Sequence, residues 1–332
     1  MKNLLKELTA SCSVTGHNNT AAKLIRDTVL PFCDETEIDC FGNVIGIKYG
    51  TSGKTVLLDA HYDEIGLQIK SINPNGSLAF VPVGGIDPDI LPCSEVVVHG
   101  KKELYGVIGA KPPHLLKENN VKRNLKFSDL TIDVGMKHPE DYVRIGDVAT
   151  FLPVFREMEG DRICCKGLDN KSGVAIMIYV MQSLRQCPHT LIFSATTGEE
   201  MGCLGIASLS ERYSVDLAIV TDVTFGVSPG EEESLCFPLG SGAAICIGPC
   251  IDSFWFEQAK LTAERYHIPY TVEVEGRTTG TNTDVIQLSG LGVPSLLISV
   301  PLRYMHSASE VVSFSDMKET AALISKIAGG DL

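Results

Sequence analysis

After Cys164 the chain alternates between short apolar runs typical of strands and longer runs typical of helices. The run at 172–185 is strongly apolar and long enough for a helix, and a β-rich run follows at 189–195. Consecutive strand–helix units pack into a mostly parallel sheet that is covered by helices. The alternation therefore predicts an α/β sandwich for this part of the chain.

The stretch from 66 to 158 has a different pattern. Short alternating runs are separated by glycine and proline, as at Asn73–Gly76, and few helical patterns are present. Such a block is typical of a small β-barrel or β-sandwich. Because candidate site residues lie on both sides of this block, we predict one α/β domain, residues 1–65 and 159–332, interrupted by an inserted β domain, residues 66–158.

Composition argues against several classes of partner. The net charge is −13, whereas nucleic acids and anionic membranes need a basic face. Near the N-terminus Leu4, Leu5 and Leu8 have helical spacing, which predicts an amphipathic helix and not a signal peptide. The 11 cysteines are scattered, as is typical of free thiols in a reducing compartment. We therefore expect a cytoplasmic protein with no nucleic-acid or membrane partner.

Ionisable side chains follow the apolar runs at the points where strands would end. Open α/β sheets place their sites at the carboxyl ends of strands. Each of these residues alone has an ordinary explanation as a cap, turn or structural residue. Their shared position indicates a single site. The residues are His61, Asp63, Glu199, Glu200, Asp222 and His306.

Histidine and carboxylate ligands without cysteine suit a hydrolytic metal site rather than a structural zinc site. A carboxylate can bridge two metals, and Asp169, in a turn before a helix, is the candidate bridge. Glu199 is the candidate general base, because it and its neighbour Glu200 point to opposite faces of an extended segment. Asp63 is the candidate partner for the second ring nitrogen of His61. The predicted metal ligands are His61, Asp169, Glu200, Asp222 and His306, and the predicted catalytic residues are Glu199 and Asp63.

At these positions the sequence resembles the M42 metallopeptidase family of glutamyl and deblocking aminopeptidases, some members of which are labelled endoglucanase or cellulase. The matching motifs span nearly the whole chain in family order. They are His61–Gly66, Lys166–Gly173, Thr197–Gly202, Thr221–Thr224 and Arg303–Ser307.

The resemblance implies a metallo-exopeptidase-type α/β sandwich with an inserted PDZ-like β-barrel that serves dimerisation. It also implies a homo-oligomer, from a dimer up to a tetrahedral dodecamer, and a cis peptide bond between Asp169 and Asn170. The implied ligand sets are His61 and Asp222 for one metal, Glu200 and His306 for the other, and Asp169 for both.

The sequence departs from the family pattern around the candidate bridge Asp169, which we call the bridge segment (residues 166–173), and in two further segments. Gly167 stands where alanine is usual, and Asn170-Lys171 stand where Asp-Arg is usual. The segments 225–228 and 280–284 differ where substrate is expected, although no predicted ligand is lost. The preferred N-terminal residue is therefore left open. Arg277 and Arg303 could pair with an acidic substrate side chain, or lie at the surface or behind the site.

The expected function is a di-metal aminopeptidase that cleaves short peptides with metal-activated water and Glu199 as general base. Two divalent ions per subunit are expected, zinc or cobalt first and manganese as a further possibility. A glycosidase is an alternative, but it needs two carboxyl groups facing each other roughly 5–9.5 Å apart across one bond. A non-catalytic, metal-stabilised scaffold is another, but it would have no need of Glu199. The role of His114 is also left open.

Overall fold

The computed structural model describes residues 1–110, 125–230 and 236–330. None of the helices in these ranges combines the length and hydrophobicity needed to cross a bilayer. The α-helices are α1 (Lys2–Ala10), α2 (Asn19–Val29), α3 (Leu168–Ser183), α4 (Leu204–Ser210), α5 (Ser253–Tyr266), α6 (Thr283–Ile286) and α7 (Phe314–Ala328).

The strands of the described ranges divide between one large sheet and one barrel. The sheet strands are β1 (Glu35–Ile38), β2 (Val44–Lys48), β3 (Thr55–His61), β10 (Arg156–Met158), β11 (Arg162–Cys165), β12 (Thr190–Thr196), β13 (Leu217–Val220), β14 (Val223–Phe225), β15 (Ala243–Ile247), β16 (Tyr270–Val274), β17 (Ser295–Arg303) and β18 (Glu310–Ser313). The barrel strands are β4 (Gly66–Ile72), β5 (Leu78–Val83), β6 (Glu95–His99), β7 (Glu103–Ala110), β8 (Leu130–Asp133) and β9 (Val148–Phe151).

The centre of the large sheet is parallel, in the order β12–β3–β13–β17. These strands are almost wholly buried, as expected for a sheet whose two faces are covered. The flanks are antiparallel, with β2 and β1 beyond β12, and β18, β11 and β10 beyond β17. The predicted α/β class is confirmed. In these flanks the pairs β1–β2, β10–β11 and β17–β18 are joined by short connections, which suit antiparallel neighbours.

Helix α3 is buried along most of its length and packs against β3, α1 and α7. A helix that is apolar on all sides belongs in the interior. Its first turn is irregular, because Asp169 has φ −78° and ψ 109°. The Asp169–Asn170 peptide bond is cis, as the resemblance implies.

The remaining six strands close into an antiparallel barrel in the order β4–β5–β8–β7–β6–β9. The barrel has its own apolar core, separate from that of the large sheet. The predicted inserted barrel is confirmed, and its strands run from Gly66 to Phe151. The domain boundaries after residues 65 and 158 stay a prediction.

Candidate metal centre

The parallel register brings the ends of neighbouring strands to one edge of the sheet. Thr196, at the end of β12, lies beside His61, at the end of β3. The loops after β12, β13 and β17 begin at this same edge, and α3 delivers Asp169 to it. We call the side chains that meet here the candidate metal centre. It consists of His61, Asp169, Glu199, Glu200, Asp222 and His306.

Asp169 lies between two groups of side chains. Its Oδ1 is 3.2 Å from the Nε2 of His61, whose Nε2 is also 3.7 Å from the Oδ1 of Asp222. Its Oδ2 is 3.3 Å from the Nε2 of His306, which is 3.4 Å from the Oε1 of Glu200. Within each group the potential ligand atoms all lie within 4.8 Å of one another. The two oxygens of one carboxylate thus face two separate sets of ligands.

Both histidines direct Nε2 into the centre. The Nδ1 of His306 lies 2.7 Å from the carbonyl oxygen of Gly85, and the Nδ1 of His61 lies 3.2 Å from the carbonyl oxygen of Asp63. A carbonyl oxygen only accepts hydrogen bonds, so each Nδ1 carries the donated proton. In the neutral ring the Nε2 lone pair then faces the carboxylates, which is how histidine binds a metal.

The carboxylates of the centre crowd one another in a buried place. Burial raises the pKa of Glu199 to about 8, and Asp222 and Asp169 add to the rise while His61 opposes it. Burial also raises the pKa of Asp222 above its usual range. Buried carboxylates that face each other are costly unless cations lie between them. The centre offers imidazole and carboxylate groups as metal ligands, and no thiol is among them. This set of ligands fits divalent cations such as zinc, cobalt or manganese.

Glu199 stands beside both ligand sets without belonging to either. Its Oε2 is 3.9 Å from the Nε2 of His61, and its side chain is 13% exposed. Its backbone N–H donates to the Oδ1 of Asp63 over 3.2 Å, and the Oδ2 of Asp63 accepts from the hydroxyl of Thr15 at 2.7 Å. The Asp63 carboxylate therefore anchors the Glu199 segment. For the His61 ring, the carbonyl of Asp63 is nearer than its Oδ1, which is 3.5 Å away.

A second buried carboxylate lies beside the bridge segment. The Oε2 of Glu64 is 2.6 Å from the ammonium of Lys166, and its Oε1 is 3.0 Å from that of Lys171. We call these three residues the lysine-paired cluster. Burial alone would raise the pKa of Glu64, but the two lysines lower it to about 2. Gly167 has φ +64°, and a Cβ there would lie 2.8 Å from Glu64, so alanine would be strained and crowded.

Glu310 is a functional-site residue that the sequence analysis missed. It is 2% exposed, and its Oε2 accepts the backbone N–H groups of Leu168 and Asp169 at 2.7 and 3.2 Å. Its Oε1 accepts the backbone N–H of His306 at 3.0 Å. Glu310 thus joins the two chain segments that supply Asp169 and His306. The one sequence signal that could have pointed to Glu310 is its position directly before the apolar pair Val311-Val312.

The centre opens into a cavity of about 410 Å³. Beyond the centre, its described lining includes Phe225, Glu273, Glu275, Thr281 and Met305. Neither Arg277 nor Arg303 is among the described lining residues. His114 lies outside the described residues.

The comparisons with known proteins agree with this geometry. The family model for M42 glutamyl aminopeptidases matches residues 42–323. The lysyl aminopeptidase of Pyrococcus furiosus is 32% identical over 327 residues, which cover 96% of this chain and 94% of that protein. An aminopeptidase structure from the archaeon Desulfurococcus kamchatkensis superposes with a TM-score of 0.93 and 31% identity, covering 98% of this chain and 94% of that one.

The Pyrococcus horikoshii TET1 peptidase, which can assemble into a tetrahedron or a large octahedral shell, has a TM-score of 0.84 and 30% identity. That match covers 98% of both chains. The family model and these relatives extend over nearly all of the sequence, including both halves of the metal centre and the barrel between them. The chain therefore belongs to the M42 family and is a metal-dependent aminopeptidase, a hydrolase of peptide bonds.

Proposed function

We propose that the candidate metal centre holds two divalent cations and removes N-terminal residues from short peptides. His61 and Asp222 would hold one cation, Glu200 and His306 would hold the other, and Asp169 would serve both. The observation that carries this proposal is the orientation of the two imidazole rings. Both present Nε2 to the two oxygens of a single buried carboxylate, an arrangement of acceptors that cations would satisfy.

Divalent cations in such a site polarise a carbonyl group and lower the pKa of water. Glu199 acts as general base on the attacking water and then returns the proton to the leaving nitrogen. Its position supports this role, because its carboxylate faces the centre while Asp63 holds its backbone. His61 and His306 are kept in the orientation that leaves Nε2 available by the carbonyl groups of Asp63 and Gly85.

Zinc or cobalt is the proposed metal, with manganese as a further candidate. The tetrahedral, octahedral and dodecameric assemblies of TET1 peptidases support a homo-oligomer for this chain. We propose a size from a dimer up to a dodecamer, with residues 66–158 as the dimerisation domain. The 11 cysteines all lie in the described residues and form no disulfide bond there, which supports a reducing cytoplasm. The family is described by glutamyl aminopeptidases, whereas the Pyrococcus furiosus relative is a lysyl aminopeptidase. Because these two names specify different N-terminal residues, they do not fix the preference of this chain.

The proposal is tested by chelating the full-length protein and restoring zinc, cobalt or manganese one at a time. We expect activity on aminoacyl-p-nitroanilides to disappear on chelation and to return with at least one metal. Elemental analysis should then find two metal ions per chain. Activity that survives complete metal removal would refute the proposal. So would a single ion per chain at saturation, or the release of reducing sugar from carboxymethylcellulose without peptidase activity.

A further inference from the structure

Strand β16 presents Glu273 to the cavity and its valines to solvent, and Glu275, directly after the strand, also lines the cavity. Val272 and Val274 are 38% and 74% exposed, whereas Glu273 between them is only 8% exposed. The register is set by pairing with β15, in which Glu273 lies opposite Cys246. Because side chains alternate along a strand, a shift of one residue would bury the valines instead. The register that forms therefore buries a carboxylate where a strand ordinarily buries an apolar side chain.

The buried carboxylate of Glu273 is only half satisfied. Its Oε1 accepts a hydrogen bond from the hydroxyl of Thr224, but its Oε2 is buried and has no hydrogen-bond partner among the described residues. Burial raises the pKa of Glu273 to about 7, the hydroxyl groups of Thr224 and Ser299 oppose this rise, and Glu275 and Asp222 add to it. A buried carboxylate with negative neighbours is costly until a cation meets it.

The contrast with Glu64 shows what Glu273 lacks. Glu64 is also buried, but two lysine ammonium groups of the same chain contact it. No lysine or arginine is among the described residues that line the cavity beside Glu273 and Glu275. The described lining therefore offers these two glutamates no lysine or arginine partner, and the cavity beside them is where the proposed function places the substrate.

We propose that Glu273 and Glu275 bind the side chain of the substrate's N-terminal residue and select lysine or arginine. This inference rests on the proposed function and adds the substrate class to it. The described lining also includes Val223, Phe225 and Met305. A lysine or arginine side chain has an apolar stem and a cationic tip, so it suits a cavity that offers both apolar surface and carboxylates. An acidic side chain would be repelled by the same glutamates.

The first test compares substrates on the metal-loaded, full-length protein. Lysyl-, arginyl-, norleucyl- and glutamyl-p-nitroanilide are assayed under one set of conditions. Norleucine has the carbon chain of lysine without the ammonium group, so the lysine-to-norleucine ratio of kcat/KM isolates the charge. We expect this ratio to be about 10 to 100, the range for a hydrogen bond to a charged group, and the glutamyl substrate to be the slowest.

The second test uses variants with the same substrates. Glu273→Gln keeps the shape and removes the charge, and we expect the lysine-to-norleucine ratio to fall by about 10- to 100-fold. Glu275→Gln should lower the ratio by a smaller factor, because Glu275 is less buried. Glu211→Gln, at an exposed position after α4, is the matched control and should leave the ratio unchanged. Metal content and melting temperature are measured for each variant to identify misfolding.

Several outcomes would overturn the inference and leave the proposed function intact. They are equal kcat/KM for lysyl and norleucyl substrates in the wild type, a faster glutamyl substrate, or an unchanged ratio in Glu273→Gln. An equal loss on every substrate would also overturn it, because it would assign Glu273 to the α-amine that all substrates share. If the metal-loaded wild type cleaves none of the four substrates, the proposed function fails and the inference fails with it.

Discussion

Two neighbouring clusters in this protein contain buried carboxylate groups, and they differ in how the negative charge is balanced. In the lysine-paired cluster, Lys166 and Lys171 contact Glu64 and hold its pKa at about 2. In the metal centre, burial raises the pKa of Glu199 to about 8, and Asp222 and Asp169 add to the rise. Only Gly167 and Leu168 separate Lys166 of the cluster from Asp169 of the centre in sequence.

The difference separates a structural role from a functional one. In the lysine-paired cluster the carboxylate of Glu64 is fully paired within the chain, which suits a structural role beside the turn that presents Asp169. In the candidate metal centre the carboxylates lack such lysine partners, and under the proposed function cations from solution balance them. The same substitution, glutamate to glutamine, should therefore have different effects in the two places.

The largest expected effect is in the metal centre. Glu199→Gln removes the proposed general base but keeps the shape of the side chain, so turnover should fall by roughly 10² to 10⁴. The metal content should stay at the wild-type value, because Glu199 is in neither ligand set. The folding stability should not fall, because a crowded carboxylate has been neutralised. Steady-state kinetics, elemental analysis and urea unfolding measure these three quantities. Turnover near the wild-type value in the fully metal-loaded variant would remove Glu199 from the mechanism.

The next effect is in the lysine-paired cluster. Glu64→Gln leaves two buried ammonium groups without a counter-charge, which should lower the free energy of unfolding by about 3–5 kcal/mol. The triple variant Glu64→Leu, Lys166→Met, Lys171→Met removes all three charges and should lose much less stability. Urea unfolding of both variants, with metal present at a fixed concentration, measures the difference. Equal stability of Glu64→Gln and the wild type would show that the cluster is not the structural support described here.

The smallest effect is the share of the metal-dependent stabilisation that is lost with one ligand set. A ligand at 100 times its Kd raises the free energy of unfolding by about 2.7 kcal/mol per site. The wild type should therefore gain up to about twice this value on metal addition, and His306→Ala, which keeps one ligand set, should gain about half as much as the wild type. Thermal or urea unfolding across a metal titration measures the gain. An identical gain in both proteins would contradict the assignment of His306 to a second cation.

The sequence contained enough information to predict the side chains of the metal centre but not their supports. His61, Asp222 and Glu200 each follow an apolar run, and the rule that parallel strands end at one edge is independent of the details of packing. Glu310 was missed because its partners are backbone N–H groups of Leu168 and Asp169, which lie more than a hundred residues away in the sequence. No local pattern reports such a contact.

The lysine-paired cluster and the choice of the buried face of β16 were missed for related reasons. Glu64, Lys166 and Lys171 are ordinary charged residues in sequence, and only the tertiary fold makes them buried. The alternation of 271–274 predicted a strand, and a strand is present at Tyr270–Val274. The pattern alone could not say which face would be buried, because that choice depends on the register with β15.

The hydrogen bond between Gly85 and His306 has a consequence for the way the protein can be altered. Gly85 lies in the segment that follows barrel strand β5, whereas His306 belongs to the α/β part of the chain. The inserted domain therefore supplies the acceptor that decides which imidazole nitrogen is offered to the centre. An excised or transplanted barrel would remove that acceptor, and the ring would be free to turn. Under the proposed function, the inserted domain therefore supports the active site and is also a candidate surface for assembly.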